Sequence, residues 1–192
     1  MLSVITSLSL GYIYYFTPPV DDFETLVKKD GFDCESHIVE TDDGYLLTLF
    51  RLVNSNYTTA SSKILYFQHG LFDSADGQVL NGREKSFAYF YHDQGFDVWL
   101  GNNRGNKYSR KHVSLDPDKD SEFWDFTFEQ YHLDVKANIE HILNSTGQEK
   151  LAVMAHSMGT AQIFIAMSLY PTWFEDRVSV MVALAPVSKN KN

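Results

Sequence analysis

At 192 residues, with 44% hydrophobic and 15% aromatic side chains, the chain can bury one sizeable core, and a single domain is its natural organisation. A formal charge of −9 argues against a nucleic-acid partner and against electrostatic attachment to an anionic membrane. The single cysteine, Cys34, excludes an internal disulfide framework and any multi-cysteine metal site, and reads as a buried or idle thiol.

Met1 to Val20 carries no charged side chain, and Leu2 to Phe16 is largely apolar. That length is short for a membrane span and suits a secretory h-region, although no Lys or Arg precedes it. Ser9-Leu10-Gly11 offers small residues at cleavage spacing. Residues 1–16 are therefore predicted to be a signal peptide for the secretory pathway, leading to a secreted or lysosomal product. The alternatives are an uncleaved membrane anchor or an apolar extension of the fold. Asn56-Tyr57-Thr58 and Asn144-Ser145-Thr146 fit the N-glycosylation pattern.

Further on, strands and helices alternate. Tyr45 to Val53 has the mixed alternation of an outer strand, and Lys63 to Gln68 is a short apolar strand entering a turn at His69-Gly70. Glu84 to Asp93 predicts a helix with an aromatic face at Phe87, Phe90 and Tyr91, broken by Gly95, and Phe96 to Leu100 a buried strand. A long loop runs to about Trp124. Its basic stretch, Arg104 to His112, reads as a solvated loop rather than a phosphate-binding patch. Thr127 and Gln130 form a capping-box pattern before a helix whose Val135, Ile139, Ile142 and Leu143 share one face and which Gly147 stops. A strand Leu151 to Met154, a turn at Ser157, a helix to about Tyr170 ended by Pro171, and a strand Val178 to Leu184 complete the order. Buried strands joined by helices imply an α/β fold with parallel pairing and right-handed crossovers, with its chemistry at the carboxyl ends of the strands.

The turn at Ser157 carries the chemistry. A strand that turns straight into a helix forces the residue between them into a strained conformation and holds its side chain clear of the sheet. The positions two before and two after must then be small, and here they are Ala155 and Gly159. Ser157 reads as a nucleophile on such an elbow, supported by His156; the plainer reading is a strand-to-helix turn with Ser157 as helix cap. An oxyanion hole needs two N–H donors, assigned to Met158 at the helix N-terminus and to Leu71 after His69-Gly70, where glycine would let the backbone swing an N–H toward the site. His69 is read as a structural hydrogen-bonder rather than a base.

Several segments carry a resemblance: His37 to Tyr45, Gln68 to Ser74, Asp97-Val98-Trp99-Leu100-Gly101-Asn102-Asn103-Arg104-Gly105-Asn106, Ser109 to His112, Glu122 to Phe126, Thr146 to Lys150, the elbow, and Ala183 to Pro186. Over about residues 24–187 the chain resembles the N-terminal half of the acid lipase family, the α/β-hydrolases that include gastric and lysosomal acid lipase. The resemblance implies a partial α/β-hydrolase domain: a mostly parallel sheet with flanking helices, lacking the lid and the C-terminal strands. It implies hydrolysis of neutral lipid esters, triacylglycerol or cholesteryl ester, by a Ser-Asp-His triad without metal or cofactor. Contact with a lipid interface follows; no specific protein partner does. By position Ser157 would be the nucleophile, with Leu71 and Met158 the oxyanion donors. The family has Gly where this chain has Ala155, and Gln where it has Met158; neither change is disabling, since Ala is small and the donor is backbone.

A third departure is larger. In this fold the acid and then the histidine follow the serine in the chain. All seven histidines here precede Ser157, and Glu175 and Asp176 are the only carboxylates after it. The chain alone is expected to be feeble or inert, since losing a triad member leaves only about 10³–10⁴-fold acceleration over water. The open strand Val178 to Ala185 would favour aggregation. The expected function is a lipase-type ester hydrolase represented by an incomplete chain. The alternatives are an inactive lipid- or protein-binding relative, or a half-enzyme completed by a separate chain.

Overall fold

The computed structural model describes residues 22–53 and 63–188. The candidate signal segment and the Asn56 sequon lie outside the described residues. A short helix α1 (Phe23–Lys29) opens the fold, its first turn capped by the Asp22 carboxylate, which accepts the Thr25 N–H at 2.8 Å. Then come β1 (Cys34–Glu40), β2 (Tyr45–Leu52), β3 (Ile64–Gln68), α2 (Phe87–Asp93), β4 (Asp97–Leu100) and the two-residue β5 (Lys111–His112). The chain continues through α3 (Tyr131–Thr146), β6 (Leu151–His156), α4 (Met158–Leu169), α5 (Pro171–Arg177) and β7 (Val178–Leu184).

The strands form one sheet in the order β1-β2-β4-β3-β6-β7, with β5 beside β2. β3 runs parallel to β4 and β6, and β6 parallel to β7. β2 pairs antiparallel with β1, β4 and β5, so it alone runs against the rest of the sheet. β3 shows why the interior strands are apolar throughout. Ile64 and Tyr66 join a core with Val135, Ile139 and Ile142 of α3 and Ile163 of α4. Leu65 and Phe67 join a second core on the other face with Phe23 and Val27 of α1 and Ala88 and Tyr89 of α2. A strand covered on both sides needs apolar residues at every position.

Four expectations change. β2 is an interior strand, not an outer one: paired on both sides, it buries most of its residues, and β1 is the edge. α2 starts at Phe87 and buries Ala88 and Tyr89, Tyr89 stacking on Phe32 at 4.1 Å, whereas Phe87 and Phe90 are exposed. Pro171 begins α5 at its first position, where no N–H is needed, after Tyr170 has broken the helical path. The stretch from Arg104 to His112 is no solvated loop at its start, because Arg104 is buried. Its Nε and backbone N–H donate to the two Asp134 oxygens at 2.7 and 2.8 Å, and its remaining nitrogens donate to Asp43. Burial pushes the Asp134 carboxyl up to about 6 despite Arg104. Burial also works to raise Asp43, but hydrogen bonds from Arg104 and Thr41 outweigh it and hold that carboxyl below its usual range.

The capping box joins Thr127 and Gln130, but on a single 3-10 turn leading into α3, and Gly147 closes that helix at φ 68. At the other end of α3, Asn144 is exposed while the Thr146 hydroxyl donates back to the Ile142 carbonyl at 2.7 Å. β7 closes the described sheet, with Val180 and Val182 exposed. No helix among the described residues is long and apolar enough to cross a membrane.

Candidate active site

β6 ends at His156 and α4 begins at Met158, so Ser157 is the single residue between them, with φ 51 and ψ −121. Glycine occupies that mirror-β region freely, but a residue with a Cβ is strained there by about 1–3 kcal/mol. The surroundings hold it in place. The Ser157 N–H donates to the Leu184 carbonyl of β7 at 2.9 Å, and its carbonyl accepts from the Thr160 N–H at 2.9 Å and the Thr160 hydroxyl at 2.6 Å. The Thr160 oxygen in turn accepts the Val187 N–H at 2.9 Å. The Ser157 side chain makes no capping hydrogen bond to α4, so the plain helix-cap reading has no support in its geometry.

The neighbours are small for want of space. A Cβ on Gly159 would sit 2.5 Å from the His69 carbonyl and 2.8 Å from that of Gln68, both backbone atoms. A Cβ on Gly70 would lie 3.2 Å from the Ser157 Cβ and 3.3 Å from Nδ1 of the exposed His156. Gly70 is absent from the residues with positive φ, so it serves close approach and not a swung backbone; the positive φ belongs to Phe72, at 55. Ala155 is buried, its methyl accommodated.

Leu71 and Met158 flank Ser157 on one cavity of about 530 Å³, lined mainly by Phe128, Ala161, Phe164, Ile165 and Val187. Among the described residues no hydrogen bond to another residue occupies either the Leu71 or the Met158 N–H. Such a cavity admits an apolar chain, and the free donors can receive an anionic oxygen beside a serine. His69 is buried; Nδ1 lies 2.8 Å from the Gly70 carbonyl and Nε2 3.1 Å from the Asn103 N–H. Burial pushes its imidazole below the ordinary value. Among the described residues no group of three or more His, Cys, Asp or Glu side chains is placed to hold a metal ion.

Sequence reasoning missed the polar scaffold beneath these loops. The Asn102 amide donates to the Thr48 carbonyl at 2.9 Å and its oxygen accepts the Ala75 N–H at 3.0 Å, while Gln68 donates to Asn103 at 2.8 Å. The signal was present as the run Gly101 to Asn106, polar residues directly after a buried strand, but its partners lie elsewhere in the chain.

Fold and site together define a class. The family described as "alpha/beta hydrolase fold" matches residues 63–191, and the "partial alpha/beta-hydrolase lipase region" matches residues 23–82. The chain belongs to the α/β-hydrolase family. Within it, the relatives are those of the acid lipase branch. Lipase 1 of Drosophila melanogaster is 43% identical over 164 residues, covering 85% of this chain and 36% of that protein. Lysosomal acid lipase/cholesteryl ester hydrolase of Homo sapiens is 41% identical over 167 residues, covering 85% of this chain and 41% of that protein. Among solved structures, the Pyrococcus furiosus esterase Pf2001 superposes with a TM-score of 0.56 at 18% identity, over 88% of this chain and 56% of the esterase, a likeness of fold alone. The chain thus spans 36–41% of the length of these two lipases.

Proposed function

We propose that this chain carries the nucleophile and the oxyanion donors of a serine-dependent carboxylic ester hydrolase acting on neutral lipids, triacylglycerol or cholesteryl ester. The observation that carries it is the backbone of Ser157: strained, held by hydrogen bonds to Leu184 and Thr160, and opening onto an apolar cavity with a hydroxyl that caps no helix N–H. Ser157 Oγ attacks the ester carbonyl as its proton passes to a base. The carbonyl oxygen gains charge between the Leu71 and Met158 N–H groups, and the acyl chain lies along Ala161, Phe164 and Ile165. The alcohol leaves with a proton, and water then releases the fatty acid from the serine ester. No metal or cofactor enters these steps.

His69 cannot be that base, because both its nitrogens are engaged in the scaffold. On this reading the general base and its acid come from polypeptide other than the described residues, of this chain or of a separate one. Relatives named as lysosomal lipase, together with the uncharged N-terminal segment, support a secretory-pathway location.

The test is labelling by a fluorophosphonate probe, in the 192-residue chain and in a form extended to the length of its lipase relatives. The extended form is expected to label at Ser157 and to lose labelling in Ser157→Ala, with the 192-residue chain slower by a factor on the order of 10² or more, as expected without a base. An extended form that remains unlabelled while binding lipid would instead support an inactive binding relative.

A further inference from the structure

The hydrogen bonds around His69 can each run in only one direction. The Asn103 N–H can only donate, so Nε2 of His69 is an acceptor and carries no proton. The Gly70 carbonyl can only accept, so Nδ1 carries the hydrogen. The amide of Asn106, 3.3 Å from Nε2, adds a second donor on the same side. Behind Asn103 a buried chain of hydrogen bonds continues. Gln68 donates to the Asn103 oxygen at 2.8 Å, the Tyr66 hydroxyl donates to Gln68, and the Asn138 amide donates to Tyr66 at 3.0 Å. Tyr66, Gln68, Asn103 and Asn138 are all buried, so the ring is tied to β3 and α3 by groups shielded from water.

The Gly70 carbonyl and the Leu71 N–H are the two ends of one peptide unit. No peptide bond among the described residues is cis, so these two groups point in opposite directions. Fixing the carbonyl toward His69 therefore fixes the direction of the Leu71 N–H, away from the ring, and Leu71 lines the cavity that it shares with Ser157. Gly70 brings this peptide close to Ser157 and His156, and the hydrogen bond to His69 is the polar restraint on its carbonyl.

We propose that His69 is a positioning residue, whose neutral Nδ1–H tautomer orients the Leu71 N–H toward the oxyanion. The proposal rests on the roles given to Ser157 and Leu71 and adds the residue that sets their geometry. Burial of the ring agrees with it, since an imidazolium would drive an Nε2–H against the Asn103 N–H.

Two substitutions separate the two ends of the ring. In His69→Asn the amide nitrogen takes the place of Nδ1 and donates to Gly70, but nothing reaches Asn103. In His69→Gln the amide oxygen takes the place of Nε2 and accepts from Asn103, leaving the Gly70 carbonyl without its donor. In the form extended to the length of its lipase relatives, the fluorophosphonate labelling rate of His69→Asn should stay within about threefold of the parent. That of His69→Gln should fall by about 10–100-fold, approaching the loss of one oxyanion donor. The Leu71 amide resonance, followed by NMR with Met158 as control, should move in the Gln variant and hold in the Asn variant. Equal slowing of both variants, or slowing of neither, overturns the proposal and leaves Ser157 as nucleophile standing. If the parent itself is unlabelled, the nucleophile role falls first. The Leu71 resonance then decides the orienting role by itself, and an equal response in the two variants overturns it.

Discussion

Replacing Ser157 by glycine should stabilise the fold relative to replacing it by alanine. At φ 51 and ψ −121 any residue with a Cβ is strained, alanine as much as serine, and only glycine is relieved. The strain is worth about 1–3 kcal/mol. Against it stands the extra freedom that glycine has in the unfolded chain, about 0.5–1 kcal/mol. Taken at their central values, about 2 against about 0.75 kcal/mol, these leave Ser157→Gly more stable than Ser157→Ala by about 1 kcal/mol, or roughly 2–4 °C in Tm for a domain of this size. Alanine is the proper reference because the serine hydroxyl caps no N–H of α4, so its loss alone is nearly neutral. Paired urea and thermal melts followed by tryptophan fluorescence read the difference, and a shared tendency to associate cancels between the two variants. A glycine variant no more stable than the alanine variant would refute the claim that the elbow stores strain.

Gly159→Ala should lower the urea midpoint, corresponding to a loss of about 1–3 kcal/mol, because its Cβ meets two backbone carbonyls that cannot rotate away; an unchanged midpoint contradicts the close approach. For Asp134, a folded carboxyl raised to about 6 contributes stability that is fully present below its ordinary 3.8 and lost as pH rises through 6. Between pH 7 and pH 5 the parent should therefore gain about 1 kcal/mol over Asp134→Asn, read as the change in their Tm difference; a change of opposite sign rejects the raised carboxyl. Val180→Lys, on the exposed edge strand β7, should reduce self-association of the 192-residue chain in sedimentation velocity, and undiminished association would acquit that edge.

What the sequence discloses here is local, and what it hides is long-range. The elbow is legible because its steric demands all fall between Ala155 and Gly159, and β7 is legible because every one of its residues but Ser179 is apolar. β1 escapes notice because an edge strand exposes most of its residues and so lacks apolar alternation. The buried state of Arg104 was illegible for a different reason: its partners Asp43 and Asp134 are 61 and 30 residues away, and without them a guanidinium reads as solvated. The same distance hides the tie between His69 and Asn103, 34 residues apart, so that only the fold reveals that hydrogen bond. Gly70 lies close to Ser157 without a positive φ, and sequence cannot tell a glycine needed for its dihedral from one needed for its emptiness.

The bond from the Ser157 N–H to Leu184 sets an order of events in folding. Strand, serine and helix are contiguous, and they can assemble as soon as that segment meets β3. The bond needs a residue 27 positions later, at the far end of the last strand, so it closes only after α4 and α5 have crossed over and β7 has docked. Until then nothing from that side holds the serine in its strained geometry, and the turn is free to relax into an ordinary conformation. A partly folded chain therefore lacks the bond that holds this geometry, and, on the proposed role of Ser157, its reactivity would report in a single chemical step that the sheet has been completed as far as β7.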